Sequence, residues 1–233
     1  VSVPTGGIND RQLKLDLGIN RKFEMKELDE AFVAAAYRRH ALIFSLGLSQ
    51  FGRGEMYSEK VAKLAVGYRY DSLTVGASLS AMLVEFGSDF YDGLSAATVG
   101  LGASYRHQRF FSAITLDNIT SPSLEEGSEE IKPKLTLYAE VMGRGSYSVT
   151  GRLTVQDREK PQMGVGQKIK LAEVSSVFWG ISTEPVTYGG GLELYYRDAI
   201  IRYATSYHSS LGFSHTISMA YSFDLKKQEP TRP

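Results

Sequence analysis

A six-residue pattern, Tyr-Arg followed by three residues and then a large apolar one, recurs four times in this chain: Tyr37 to Leu42, Tyr68 to Leu73, Tyr105 to Phe110 and Tyr196 to Ile201. Each copy sits between stretches in which apolar and polar residues alternate. Alternation with period two marks a β-strand, and two such strands flanking a short polar interval make a hairpin. The repeat confines the chain to folds assembled from successive antiparallel hairpins.

The second copy suggests a register. Pairing Arg69 with Ser72 leaves Tyr70-Asp71 as a two-residue turn and sets Tyr68 opposite Leu73, Val66 opposite Val75 and Leu64 opposite Ala77. The same arithmetic pairs Tyr37 with Leu42, Ala35 with Phe44 and Val33 with Leu46, then Tyr105 with Phe110 and Leu101 with Ile114. One face comes out apolar each time, and a slip of one residue would scatter those side chains over both faces. The turn residues are neither Asn-Gly nor Asp-Gly, so the turn type stays open.

Composition narrows the class. The 233 residues carry no Pro/Gly-rich linker or long charge run, which points to a single domain spanning residues 1–233. Without cysteine there is no disulfide, thiolate metal site or cysteine nucleophile. The 26 basic and 26 acidic residues cancel, so nothing suggests a nucleic-acid surface. Apolar runs fall far short of the roughly 18 residues that a membrane helix needs. The chain opens at Val1 without a charged and hydrophobic leader, the expectation for either a cytoplasmic protein or a processed mature form.

Strand-like segments fall at roughly 11–20, 31–38, 41–49, 61–69, 72–85, 96–106, 109–117, 133–142, 146–157, 165–172, 175–182, 187–197, 200–207 and 212–223. Segment 165–182 is weakly patterned, which leaves the count at twelve, fourteen or sixteen. Residues 24–36 would also suit a short amphipathic helix. Short connections near 39–40, 70–71, 107–108, 143–145, 173–174 and 198–199 alternate with longer ones, including the acidic 118–132. That rhythm belongs to an up-and-down antiparallel barrel, and in a transmembrane barrel the short turns are periplasmic and the long loops extracellular.

Three observations favour a transmembrane barrel of about fourteen strands over a soluble β-sandwich. The polar faces are rich in Gly, Ala, Ser and Thr beside charges, as in Thr74, Gly76, Ser78 and Ser80, which suits a wet lumen better than a packed core. Tyr37, Tyr68, Tyr105 and Tyr196 stand at strand ends beside the tight turns, where aromatic anchors meet a membrane interface. The last strand, His215 to Phe223, alternates to a terminal aromatic.

That ending, with Tyr221 and Phe223, resembles the C-terminal signal by which bacterial outer-membrane barrels are inserted, although a charged tail, Asp224 to Pro233, follows it. The Tyr-Arg hairpins with Gly-Ala-Ser strands (Val66 to Tyr70, Val75 to Ser78) and the run Tyr207 to His215 resemble the outer-membrane family that includes the type IX secretion accessory proteins, itself similar to the long-chain fatty acid transporters. The likeness implies a barrel of fourteen strands, in the outer membrane, in contact with lipid and with other envelope proteins. Only about ten residues precede the first strand, which leaves no room for the transporters' N-terminal hatch, so their ligand pockets do not carry over.

Chemical constellations are sparse. Glu193 and Arg202 are expected on adjacent strands, diagonal to one another on the polar face, as a lumen salt bridge. Lys168 and Lys170 share a face, as do Lys134 and Glu140, and Lys14, Asp16, Lys63 and Arg152 add further lumen charges of both signs. Mixed charge favours internal pairing or a weakly selective aqueous path. His208 and His215 flank the last outer loop, where they read as loop-surface residues in preference to a metal site. Glu125, Glu126, Glu129 and Glu130 read as a solvated loop, and Gly189-Gly190-Gly191 as a place where a strand bends or something approaches the backbone.

No nucleophile elbow, phosphate loop, metal site or cofactor motif emerges, so the expectation is a non-enzymatic protein without cofactor. Two functions compete. The first is a docking or scaffold element of a secretion or surface-attachment assembly, with the tail as a periplasmic handle. The alternative is a passive channel for small or hydrophobic solutes.

Overall fold

The computed structural model describes residues 12–53, 57–87, 93–123, 130–143 and 146–225. The acidic residues Glu125, Glu126 and Glu129 and the tail beyond Leu225 lie outside these. Fourteen strands follow one another: β1 (Gln12–Arg21), β2 (Asp29–Arg39), β3 (Leu42–Arg53), β4 (Tyr57–Tyr70), β5 (Leu73–Phe86), β6 (Leu94–His107), β7 (Phe110–Asp117), β8 (Lys134–Met142), β9 (Tyr147–Gln156), β10 (Gln162–Ala172), β11 (Ser175–Ser182), β12 (Thr187–Tyr196), β13 (Ala199–His208) and β14 (Gly212–Asp224). Each pairs antiparallel with its sequence neighbours, and β14 returns to β1 over ten residue pairs, from Gln12 opposite Asp224 to Arg21 opposite His215. The sheet is therefore a closed up-and-down barrel with no free edge.

Residues 24–36 do not form a helix. Two short 3-10 turns, Lys22–Glu24 and Lys26–Leu28, lead directly into β2. The alanines of β2 are paired on one side with β1 and on the other with β3, and ladder hydrogen bonds with neighbours on both edges override a modest local helix preference.

The tight turns differ from the sequence expectation by two residues. Tyr68 lies opposite Val75, Val66 opposite Ala77 and Leu64 opposite Leu79, which makes Asp71-Ser72 the turn. Tyr37 likewise faces Phe44, with Ala35 opposite Leu46 and Val33 opposite Leu48, while Tyr105 faces Ser112 and Leu101 faces Leu116. In the fourth hairpin the offset runs the other way: Tyr196 faces Ala199 and Leu194 faces Ile201. A two-residue slip leaves every side chain on its original face, so the apolar pattern is blind to it.

The turns themselves supply the missing constraint. The first residue of each is left-handed without being glycine: His40 (φ 53°), Asp71 (φ 51°), Gln108 (φ 46°) and Arg197 (φ 52°). In two of them the repeated arginine holds that residue. Arg38 Nε donates to the His40 carbonyl at 2.8 Å, and Arg69 Nε donates to the Asp71 carbonyl at 3.1 Å. In the third, the Arg106 guanidinium lies 4.5 Å from the Phe111 ring centroid instead. In the first three copies the Tyr-Arg pair thus divides its labour across the wall, tyrosine outward and arginine inward, whereas in the fourth Arg197 is itself the turn residue and its guanidinium lies 5.3 Å from the Tyr196 ring centroid.

Outward rows are apolar. Leu46, Leu64, Leu79 and Val99 lie opposite one another across β3 to β6, and they are 40%, 56%, 52% and 40% exposed. The matching inward row is Gly47, Lys63, Ser80 and Thr98. Among the described residues the buried apolar side chains are only Ala34, Ala36, Ile43, Val84 and Ala220, too small a set for the core of a soluble domain. This continuous outward belt of leucine and valine far exceeds the apolar patches that soluble monomers expose to water.

Candidate functional site in the barrel interior

Because strand residues alternate in direction, the charges expected in the lumen, Lys14, Asp16, Lys63, Lys134, Glu140, Arg152, Lys168, Lys170, Glu193 and Arg202, all fall on the inward rows. Their grouping is set by the stagger of the strands. Glu193 and Arg202 are not diagonal but directly opposite, and Arg202 Nε donates to Glu193 Oε1 at 2.6 Å. Glu193 also accepts from Tyr195 Oη at 2.5 Å and from Lys168 Nζ at 3.4 Å. Tyr195 Oη in turn lies 3.2 Å from Ser176 Oγ. Arg202 Nη1 reaches Asp16 Oδ2 at 3.9 Å, which links β10, β12, β13 and β1 into one ionic cluster in the turn-end half of the lumen. Glu193 is 6% exposed, so its charge is held by protein donors and not by bulk water.

A second group fills the opposite wall. Lys63 Nζ donates to Asp117 Oδ1 at 2.6 Å, a contact that reaches from β4 across to β7. The connection after β7 turns inward there, with Ile119 N donating to the Val99 carbonyl at 3.0 Å and Thr120 Oγ1 donating to Thr98 Oγ1 at 3.1 Å. The β1–β2 connection leans over the loop-end mouth in a similar way: Phe23 N donates to Ser214 Oγ at 3.0 Å, and the Phe23 ring meets His208 edge-on at 6.0 Å.

Between these groups lies a cavity of about 420 Å³ against β8 to β13. Its floor is nearly bare backbone. Gly166, Gly180 and Gly189 stand opposite one another on three adjacent strands, all pointing inward. Gly164 and Gly191 lie one row away on either side. A Cβ on Gly180 would sit 2.7 Å from the Val165 carbonyl oxygen, so here glycine lets neighbouring strands approach as the wall curves. Arg152, Tyr138 and Thr150 rise along one edge of the floor and Phe178 along another. Arg152 faces Tyr138 on β8 and Gly164 on β10, and it makes no hydrogen bond or ion pair with any described residue. The glycine triplet at 189–191 signalled a bend or a close approach; the run of inward glycines across three strands was not legible, because its members are far apart in sequence.

Other expected residues are placed as follows. Lys134 faces Asp117 and Gln156, Glu140 faces Phe111 and Thr150, and Lys170 faces Ser176 close to the turn end. Tyr37, Tyr68, Tyr105 and Tyr196 point outward beside the tight turns, and Tyr70, Phe110 and Tyr147 join them. Tyr221 and Phe223 point outward on β14 with rings 4.4 Å apart, opposite Leu15 and Leu13 on the closing seam. A second outward aromatic group at the loop end, Tyr188, Tyr207 and Phe213, escaped the sequence reading. His208 and His215 do not meet: His208 points inward and its Nδ1 accepts from Ser210 N and Leu211 N, whereas His215 points outward and lies 2.9 Å from Tyr203 Oη.

The chain matches no family model and no curated protein in sequence. Its fold is nevertheless shared with solved structures. It superposes on the CymD monoaromatic hydrocarbon channel with a TM-score of 0.64 at 11% identity, over 93% of this chain and 89% of that one. On a mutant of the Rh. blastica porin the TM-score is 0.53 at 8% identity, over 91% of this chain and 99% of that one. These neighbours are outer-membrane channels. At such low identity the likeness is one of architecture, a closed antiparallel barrel.

Proposed function

We propose that the protein is a passive channel of a bacterial outer membrane for small solutes, aromatic or otherwise hydrophobic ones included. The observation that carries this is the cavity of about 420 Å³ left open in the lumen between two walls that carry charges of both signs, Lys63 with Asp117 on one and Glu193 with Arg202 on the other. Charges of both signs give a weakly selective aqueous path, and the row of inward glycines leaves room beside it. The architecture shared with a porin and with a channel for monoaromatic hydrocarbons supports the same reading, and it favours the channel over the docking element that was the first expectation from the sequence. The resemblance to the type IX secretion accessory proteins rests on the hairpin motifs and the run Tyr207 to His215, and no family model or curated sequence supports it.

Purified protein reconstituted in planar bilayers should give stable unitary currents, and Arg202→Ala should change their size. A folded, inserted barrel that passes no current would refute the channel. A stoichiometric envelope partner retained after gentle detergent extraction would restore the scaffold.

A further inference from the structure

The channel reading leaves the chemistry of the cavity unassigned, and four features of its lining converge on one kind of solute. The floor offers Gly166, Gly180 and Gly189 in one row, spanning two interstrand spacings or roughly 10 Å of wall without a side chain. A flat π-face can lie directly against peptide planes only where no Cβ intervenes. The Phe178 ring borders this floor, and its Cζ would stand only 2.5 Å from a Cβ on Gly191, so the ring itself lies on bare backbone. Arg152, next to Tyr138, is the one cation among the residues that line the cavity, and no described residue pairs it. Gly164, directly opposite Arg152, has no packing reason to be glycine: a Cβ there would meet its nearest neighbours at 3.7 and 3.8 Å, ordinary contact distances. What glycine does at 164 is keep open the space beside the guanidinium.

On the basis of the channel reading, we propose that this cavity is a transient binding site for single-ring aromatic carboxylates, with the ring lying on the glycine floor beside Phe178 and the carboxylate held by Arg152. A guanidinium presents two parallel N–H donors that match a carboxylate, and it discriminates by charge where the floor discriminates by shape. The volume lies at the lower end of the range for small-molecule sites, which suits one ring and not a fatty acyl chain. Neither the aromatic group without the charge nor the charge without the ring uses the whole site.

The test uses the full chain reconstituted in planar bilayers, with benzoate, acetate and benzylammonium added as probes to a chloride current, and 19F line broadening of fluorobenzoate on the detergent-solubilised barrel as a conductance-independent readout. Benzoate should reduce the current at concentrations at least tenfold below those of acetate or benzylammonium, and fluorobenzoate should broaden. Arg152→Gln should raise the half-blocking benzoate concentration tenfold or more while its unitary current persists, Arg152→Lys should recover part of the effect, and Gly164→Val should weaken block without loss of the folded barrel. Currents indifferent to benzoate, or block unchanged in Arg152→Gln, would overturn the site while leaving the channel. Broadening that depends on Arg152 in a barrel without current would keep the site and overturn the channel instead.

Discussion

Replacing Glu193 by Gln removes a single charge without changing the side chain's shape, and the surroundings of the carboxylate determine the outcome. It accepts from Arg202 at 2.6 Å, Tyr195 at 2.5 Å and Lys168 at 3.4 Å while only 6% exposed. The carboxylate uses both oxygens, Oε1 for Arg202 and Oε2 for Tyr195 and Lys168, whereas an amide that keeps its one oxygen on Tyr195 has no acceptor for Arg202, so that charged contact should lose about 1.5–2 kcal/mol. The Lys168 side chain is 42% exposed, and solvent screening limits its share to about 0.5 kcal/mol. The sum is about 2 kcal/mol for Glu193→Gln. Glu193→Ala also strands the Tyr195 hydroxyl and the guanidinium, and it should cost about 3–5 kcal/mol. Conduction should change in parallel. The cluster of Lys168 and Arg202 with Asp16 and Glu193 carries two cations and two carboxylates, a balance of zero that becomes +1 in the variant. Urea unfolding in lipid vesicles, followed by gel mobility, measures the first effect, and the reversal potential under a salt gradient measures the second, with a shift toward anions. A Glu193→Gln barrel within 0.5 kcal/mol of the parent, with Glu193→Ala no worse, would show that the cluster is solvated like a surface pair and that the burial argument fails.

Three further perturbations test the wall. Arg69→Ala removes the donor that holds the Asp71 carbonyl at an exposed turn and should cost about 0.5–1 kcal/mol, whereas Asp71→Gly relieves a left-handed φ of 51° and should stabilise by up to about 1 kcal/mol; the urea midpoints of the two variants should move in opposite directions. Gly180→Ala places a Cβ 2.7 Å from the Val165 carbonyl and should cost about 1–3 kcal/mol, while Gly164→Ala, with 3.7 Å of room, should be close to neutral apart from ordinary strand propensity; heat-modified gel mobility distinguishes them. Phe23→Ala removes the ring that leans on His208 at the loop-end mouth, and it should raise single-channel conductance without lowering the unfolding midpoint by more than about 1 kcal/mol.

The alternation of the chain carried most of the architecture. Leu73, Val75, Ala77 and Leu79 against Thr74, Gly76, Ser78 and Ser80 define a strand and its two faces, and in the structure those faces are outward and inward. Even the weakly patterned stretch at 165–182 forms β10 and β11; its pattern is faint because Gly166 and Gly180 face inward where polar side chains stand elsewhere, and Gln167 faces outward. The hairpin register was legible only to within two residues. Faces repeat with that period, so Tyr68 opposite Leu73 and Tyr68 opposite Val75 satisfy the hydrophobic pattern equally, and the left-handed turn residue with its arginine clamp decides between them.

The residue types in the lumen were likewise visible, but their partnerships were not. That Glu193 and Arg202 share a face follows from counting along β12 and β13; that they stand opposite, that Lys168 two strands away joins them, and that Arg152 has no partner among the described residues, depends on the stagger between strands. By itself, then, the sequence determined a chain of antiparallel hairpins, apolar on one side and polar on the other, with Tyr-Arg at the short turns. Tertiary structure alone decided the closure of β14 on β1, the ion-pair network and the glycine floor. Each of these joins residues that local periodicity treats as independent, and only the stagger of a closed sheet brings them to the same height.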